Sequence, residues 1–441
     1  MNNDRREFLT TTGLSAAGVA LSGPALSAQN QANANGANER IIVAVIGCGG
    51  MGSHHLRALL QRNDVQVAAV CDTDRTRLNT AAAAVQRANN RMPTATRDLR
   101  QVLNNDDIDA VFIATPDHWH GPAAIMAANA GKHVYVEKPC SHNIREGRLM
   151  IQAARRNNRI MQVGTQSRST EHVRNAIRRI HNGDIGEVYS AHVWNSQRRR
   201  NIGHVRPSEP PATIDYDTWV GPAPMVPYQS NRLHYGWHWF YNFGTGDMGN
   251  DGVHDIDIGR WGLNVNTMPS TITAIGGKYA FDDDQEFADT QTVIFEYPGN
   301  GEVGQRKQLI FEQRIWSPYT QSGYENGDVF YGTRGYLLLG KNGGWKLFQG
   351  NRLVHEERGN VSVTAHHDNF FECIRNNRRP NADIEINHYS TALCHLGNIA
   401  TRIGRTLRFN PETEQILEDR EANDLVRRQY RQGHWAVPRG V

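Results

Sequence analysis

The sequence predicts an α/β protein: a doubly wound parallel sheet in the N-terminal part, followed by an α+β domain with a largely antiparallel sheet. Three observations predict it. Up to about residue 165, apolar strand-like runs alternate with helical stretches of about ten to fifteen residues, which implies a parallel sheet covered by helices on both faces. The run Ile41–Ile46 is apolar throughout and ends in Gly47-Cys48-Gly49-Gly50-Met51-Gly52, as a strand buried on both faces would end in a turn. Between Thr271 and Leu339, period-two strands follow one another without helices, the pattern of an antiparallel sheet.

The glycines carry the first chemical reading. Gly47, Gly49 and Gly52 have the spacing of a dinucleotide-binding turn. The first allows the tight turn, the second lets backbone approach a pyrophosphate, and the third lets the next helix pack on the strand. That helix, from Ser53 to about Arg62, offers free N–H groups and the positive end of its dipole to phosphate. A second strand, Val65–Val70, ends in Cys71-Asp72. Asp72 lies about twenty residues past the last glycine, where an acid bonds a ribose 2′-hydroxyl.

The same rhythm continues. Helices are expected at Arg75–Asn89, Arg97–Leu103, Gly121–Ala130 and Ile144–Asn158, and strands at Ala110–Ala114, His133–Val136 and Ile160–Val163. Ligands of such sheets bind beyond the carboxyl ends of the strands. The cofactor-binding candidates are therefore Gly47, Gly49, Gly50, Met51, Gly52, Asp72, Thr115, Pro116, His120, Glu137, Lys138 and Gln166.

Past Gln166 the pattern changes. A helix is expected at Glu171–His181, a strand at Val188–Trp194, and a helix at Gly252–Leu263. Strands are expected at Thr271–Tyr279, Thr290–Tyr297, Gln308–Arg314 and Tyr336–Leu339, with turns at Asn342-Gly343 and Gly350-Asn351. Helices are expected at His367–Arg375, Ser390–Ile403 and Glu412–Arg428.

The 441 residues suffice for two or three domains, and a formal charge of +3 argues against nucleic acid as partner. No apolar run has the length of a membrane span. Arg5-Arg6 precedes Phe8-Leu9 and a weakly apolar stretch from Leu14 to Leu26, and Ala25-Leu26-Ser27-Ala28 offers a cleavage site. This reads as a twin-arginine export leader, with a flexible tether after it, over residues 1–38. The expected location is periplasmic or exported. The five cysteines are odd in number and lack CxxC spacing, so small apolar packing is their expected role.

Four groups could carry chemistry. Lys138, in Glu137-Lys138-Pro139 at a strand end, could polarise or deprotonate a substrate hydroxyl. In Asn250-Asp251-Gly252-Val253-His254, helical spacing puts Asn250 and His254 on one face, and Asp257 three residues on could share it. His118 and His120 lack matching carboxylate or cysteine spacing, so no metal is expected. Arg232, His234, Trp237, Trp239 and Tyr241 supply the aromatic faces and polar tips that suit a sugar, or else an aromatic core.

Together these residues resemble the family of glucose–fructose oxidoreductase and inositol dehydrogenase, Gfo/Idh/MocA. The resemblance rests on Gly47–Gly52, on Ala130-Gly-Lys-His-Val-Tyr-Val-Glu-Lys-Pro139, and on Asp251-Gly-Val-His254 with Asp257. It implies a Rossmann domain over 39–165 and, over 166–441, an α+β domain with an open sheet through which homo-oligomers pack. It implies NAD, favoured over NADP by Asp72, with Lys138 beside nicotinamide and substrate and His254 as the acid/base. Many family members carry Asp where Asn250 stands, and an amide takes no proton at neutral pH. Gly246-Asp-Met-Gly-Asn250 and the Trp-rich stretch before it resemble an exported subgroup.

Export has a consequence of its own. Soluble dinucleotide is scarce outside the cytoplasm, so an exported NAD enzyme is expected to retain its nucleotide and cycle without net release of NADH. The expected function is a carbohydrate or polyol oxidoreductase. The alternatives are a redox-neutral glycosidase or lyase working by oxidation, elimination and reduction, and a non-catalytic binding module.

Overall fold

The computed structural model describes residues 40–441, and the leader and tether read from residues 1–38 lie outside the described residues. Strands β1 (Ile41–Ile46), β2 (Val65–Cys71), β3 (Thr94–Thr96), β4 (Ala110–Ile113), β5 (His133–Val136) and β6 (Met161–Val163) form one parallel sheet. Their order, β3-β2-β1-β4-β5-β6, is that of a Rossmann fold, and it reverses between β1 and β4, where a crevice opens at the strand ends. Helices α1 (Gly50–Leu60), α2 (Arg75–Asn89), α3 (Leu99–Leu103), α4 (Asp117–Asn129) and α5 (Ile144–Arg156) make the crossovers.

Helix α4 begins four residues before the expected Gly121 and contains Pro122. Proline has no N–H to give the carbonyl one turn back. That carbonyl belongs to His118, and Arg428 Nη2 donates to it at 2.8 Å instead. A distant side chain thus permits the early start.

The second sheet has ten strands. In chain order these are β7 (Val188–Ser196), β8 (Thr271–Gly277), β9 (Thr290–Tyr297), β10 (Lys307–Arg314), β11 (Asn326–Gly332), β12 (Gly335–Gly340), β13 (Gly344–Gln349), β14 (Arg352–Glu357), β15 (Leu407–Asn410) and β16 (Gln415–Ile416). They are ordered β14-β13-β12-β11-β7-β10-β9-β8-β15-β16. Only the β7–β10 pair is parallel. Alternation is clean in β9: Gln291, Val293, Phe295 and Tyr297 are buried while their neighbours are half-buried. The buried face packs under α6 (Glu171–His181), α8 (Val253–Gly262) and α10 (Ile384–Ile403), and the short α7 (Tyr216–Val220) lies between α6 and α8 in the chain. Helix α9 (Val363–Asn376) returns to the first sheet, where Phe370 and Phe371 join the core of β1 and β2.

Strands β11, β13 and β14 were not expected. Their turns, Asn342-Gly343 and Gly350-Asn351, are the read ones, but β14 is exposed almost throughout and so lacks an apolar alternation. The helix expected at Glu412–Arg428 is instead β16 and the five-residue α11 (Arg420–Asp424). Glu414 there takes φ 55°, and its carboxylate accepts from Arg148 at 3.1 Å and pairs with His388 at 2.7 Å. These contacts override local helix propensity.

Candidate active site

A cleft of about 470 Å3 runs along the strand ends of the first sheet, within the size range of cofactor and small-molecule sites. Its floor is the glycine turn. Gly47 has φ +87°, and a Cβ there would lie 2.5 Å from the Ala114 carbonyl oxygen. A Cβ on Gly52 would lie 1.7 Å from the Gly47 carbonyl oxygen, so Gly52 serves close packing. Gly49, Gly50 and Met51 line the cleft, and a Cβ on Gly50 would meet nothing within 4 Å. No side chain caps α1 and no acid stands in its first turn, which leaves its N–H groups free for an anion. Asp72 braces the turn, accepting from the Cys48 N–H at 2.7 Å and the Asp74 N–H at 2.8 Å. Burial raises its carboxyl pKa. The buried Thr115 hydroxyl has no hydrogen-bond partner. A bare turn, a free helix end, an acid at the ribose position and an orphaned hydroxyl fit NAD.

Next along the cleft lie Thr115, Pro116, His120, Glu137 and Lys138. His120 spans two strand ends, its ring nitrogens 2.9 Å from the Thr115 carbonyl and 2.7 Å from the Pro139 carbonyl. Glu137 is buried against His55 Nε2 at 2.9 Å, and His55 meets His367 at 2.9 Å. The Glu137 carboxyl is held down to about 2: burial opposes ionisation, but the His55 hydrogen bond and nearby positive charge outweigh it. Gln166 does not line the cleft. It backs Glu137, 3.4 Å from Oε1.

Lys138 Nζ donates to the Asn250 carbonyl at 2.7 Å. Asn250 lies in a π-turn, Met248–Gly252, that leads into α8; such turns recur at functional sites. Its amide donates to Asp247 at 2.9 Å. His254 is half-buried, and its pKa is pushed down to about 3 by burial and then by the charges of Lys341 and Lys138. It is therefore neutral at neutral pH, and it stands behind the residues that line the cleft.

Residues 41–165 match the family model for an oxidoreductase family NAD-binding Rossmann fold, and residues 190–287 and 359–437 match its C-terminal alpha/beta domain. The chain belongs to the Gfo/Idh/MocA oxidoreductases. A Glycosyl hydrolase family 109 protein of Shewanella pealeana is 33% identical over 172 residues, 35% of this chain and 38% of that protein. The matched stretch thus spans well under half of that relative. The uncharacterised oxidoreductase YrbE of Bacillus subtilis is 25% identical over 67% of this chain and 73% of its own. Two solved structures share the fold. WlbA dehydrogenase of Bordetella pertussis, in complex with NADH and UDP-GlcNAcA, has TM-score 0.64 at 20% identity over 84% of this chain and 99% of that one. Aldose-aldose oxidoreductase of Caulobacter crescentus has TM-score 0.65 at 17% identity over 84% and 100%.

In this Gfo/Idh/MocA chain several expected site residues lie elsewhere. Asp257 is not a partner of His254. It pairs with Arg168 at 2.7 and 2.8 Å and accepts from Ser390 at 2.6 Å. Asp257→Ala leaves the Arg168 guanidinium, 9% exposed, without its counter-charge. The expected loss is about 3–5 kcal/mol of stability, read from urea unfolding, with kcat of the folded fraction retained.

Arg232 is structural too. It donates to the Pro227 carbonyl at 2.8 Å and lies 4.5 Å from the Phe240 ring. Trp239 is buried in the aromatic core of the insert that leads to α8. Tyr241 faces a different cavity, 4.1 Å from Arg402. Trp237 does line the cleft, stacked on His238 at 3.6 Å. His234 lines its other end, 3.1 Å from Asp74.

Sequence reasoning missed Arg199 and Trp435, which line the cleft together with Tyr235, His238 and Arg77. Arg199 is held by Asp247 at 3.0 Å. In the sequence it is one of three adjacent arginines, and only that buried carboxylate singles it out.

Burial makes the fold acid-sensitive. It pushes the pKa of His118, His238, His254 and His395 down to about 3, His366 to about 4 and His367 to about 2. The unfolded chain protonates these groups near the ordinary value and the folded chain does not, so stability is full above about pH 6.5 and falls below it. Asp117 and Asp255, raised to about 7 by burial, act the opposite way but are fewer. The urea midpoint is expected to be lower at about pH 5 than at about pH 7.

Proposed function

We propose that this protein is an exported carbohydrate oxidoreductase that keeps its NAD bound and runs a redox-neutral cycle. The observation that carries the reading is Lys138. Its ammonium donates to a backbone carbonyl rather than pairing with a carboxylate, and it stands where the dinucleotide cleft meets Arg199, Tyr235 and the Trp237–His238 stack. Donors beside aromatic faces suit a polyhydroxylated ring. NAD, when bound, supplies the hydride acceptor. The Lys138 ammonium passes one proton to neutral His254 and takes that of the substrate hydroxyl at Nζ. Asn250 holds Lys138 in position through its carbonyl.

Cleft walls drawn from distant parts of the chain support retention. Residues of the Trp-rich insert bond across the ribose loop: Thr213 accepts from Arg75 N at 2.9 Å, and Asp215 N donates to Thr73 at 3.1 Å. From the other side, Trp435 reaches the cleft and packs 4.4 Å from Arg100 and 5.7 Å from Trp119. Arg5-Arg6 with the apolar stretch after it supports export. Ile294 and Ile310, paired across β9 and β10 and half-buried on the uncovered sheet face, support a homo-oligomer through that face, which sedimentation of the purified protein tests.

A second reading is a glycosidase that oxidises a sugar, eliminates the glycosidic group and reduces the product. The Glycosyl hydrolase family 109 relatives favour it. One experiment covers both readings. The protein is purified without added cofactor and dialysed, its nucleotide is released by denaturation and identified, and a panel of sugars and glycosides is added to the intact protein. Bound NAD, product and no lasting reduced-nicotinamide band support the redox-neutral cycle, and a cleaved glycoside selects the glycosidase. Absence of bound nucleotide, with NADH accumulating only when NAD is supplied, overturns retention.

A further inference from the structure

A second cavity, of about 640 Å3, is lined by no residue assigned to the reaction above. One wall is a face of α10, where His395, Asn398 and Arg402 are three and four residues apart. Another is the segment from Tyr241 to Thr245 with His142, and the tail residues Arg427 and Arg428 close the third side.

Its polar groups are poorly satisfied. Arg428 is 8% exposed. Its Nη2 reaches Glu146 at 2.8 Å and the His118 carbonyl at 2.8 Å, but Nε and Nη1 have no partner. Neither ring nitrogen of His142 has one. Arg402 lies over the Tyr241 ring, and among the described residues neither it nor Arg427 makes an ion pair. Against three guanidinium groups stand Asp424, at the exposed rim, Glu146, already bonded to Arg428 and Tyr430, and Glu286, which accepts from the Tyr241 N–H. Buried N–H groups without acceptors call for one, and guanidinium donors match planar and tetrahedral oxyanions best.

We propose that this cavity binds a small oxyanion, a phosphate or carboxylate group, through Arg402, Arg427 and Arg428. The site is separate from the dinucleotide cleft. Between them stands Thr245, whose hydroxyl donates to Asp117 in the cleft at 2.7 Å and whose carbonyl accepts from Asn398 on the cavity side at 2.7 Å. The inference does not depend on the reaction proposed above.

The test is calorimetric titration of the NAD-loaded protein with inorganic phosphate and with acetate, against chloride at equal ionic strength. Saturable binding of either anion in the range of about 1 mM is expected. Phosphate alone identifies a phosphate ester as the natural group, and acetate alone a carboxylate. The double variant Arg402→Gln, Arg427→Gln changes two exposed side chains, so the fold is kept; it is expected to weaken binding by about tenfold or more. Arg77→Gln, in the dinucleotide cleft, is expected to leave binding unchanged. No saturable heat with either anion, or equal binding in the double variant, overturns the proposal. Loss of binding in Arg77→Gln also overturns it, by returning the anion to the dinucleotide cleft.

Discussion

Replacing Lys138 with alanine is expected to lower kcat by about 10²- to 10⁴-fold, the usual contribution of a positioned proton-transfer group, and to leave bound NAD in place. The two effects separate because the groups are separate. The residues that would hold the nucleotide are the turn at Gly47–Gly52 and Asp72, with the loop after Asp72 bonded to residues 213–215. Lys138 instead points its ammonium at the Asn250 carbonyl, 2.7 Å away. Lys138→Arg should not rescue activity, since a guanidinium keeps the charge but does not give up its proton. Single-turnover rates and nucleotide content per protomer measure both halves. An unchanged rate in the alanine variant would remove Lys138 from the mechanism.

The second large effect is expected at Gly52. A Cβ there would sit 1.7 Å from the Gly47 carbonyl oxygen, and that atom belongs to the backbone of the turn itself. The clash cannot be relieved by moving a side chain. Gly52→Ala therefore drives α1 away from β1 and is expected to cost about 3 kcal/mol of stability and to release the nucleotide. Gly50→Ala is the control for stability, because a Cβ at that position meets nothing within 4 Å. Thermal unfolding and the nucleotide released on dialysis distinguish the two variants. Equal behaviour would show that the glycine at 52 is not fixed by packing.

The two sites differ in how far the sequence alone reaches them. Local patterns carry the first. Apolar run, glycine turn and helix are consecutive in the chain, so spacing alone predicts the dinucleotide turn and its strand. Asp72 is legible for the same reason, since one crossover fixes its distance from Gly52. Lys138 is legible because a parallel strand can end only on the ligand side of the sheet. Spacing also led astray: Asp257 looks like a partner of His254 until Arg168, 89 residues away in the chain, claims its carboxylate.

The sequence by itself determined the parallel sheet, the phosphate turn and the strand ends that face the cleft, because these follow from periodicity and from glycine sterics between near neighbours. Only the tertiary structure decided which of the insert's aromatic residues line the cleft. It placed Trp237 and Tyr235 on the cleft, buried Trp239, and gave Tyr241 to the second cavity. It also chose Arg199 from its neighbours through the buried Asp247 and brought Trp435 back from the tail. The physical reason is common to all of them: a side chain's role is set by the charge or ring it meets across the fold, and no local spacing records that partner.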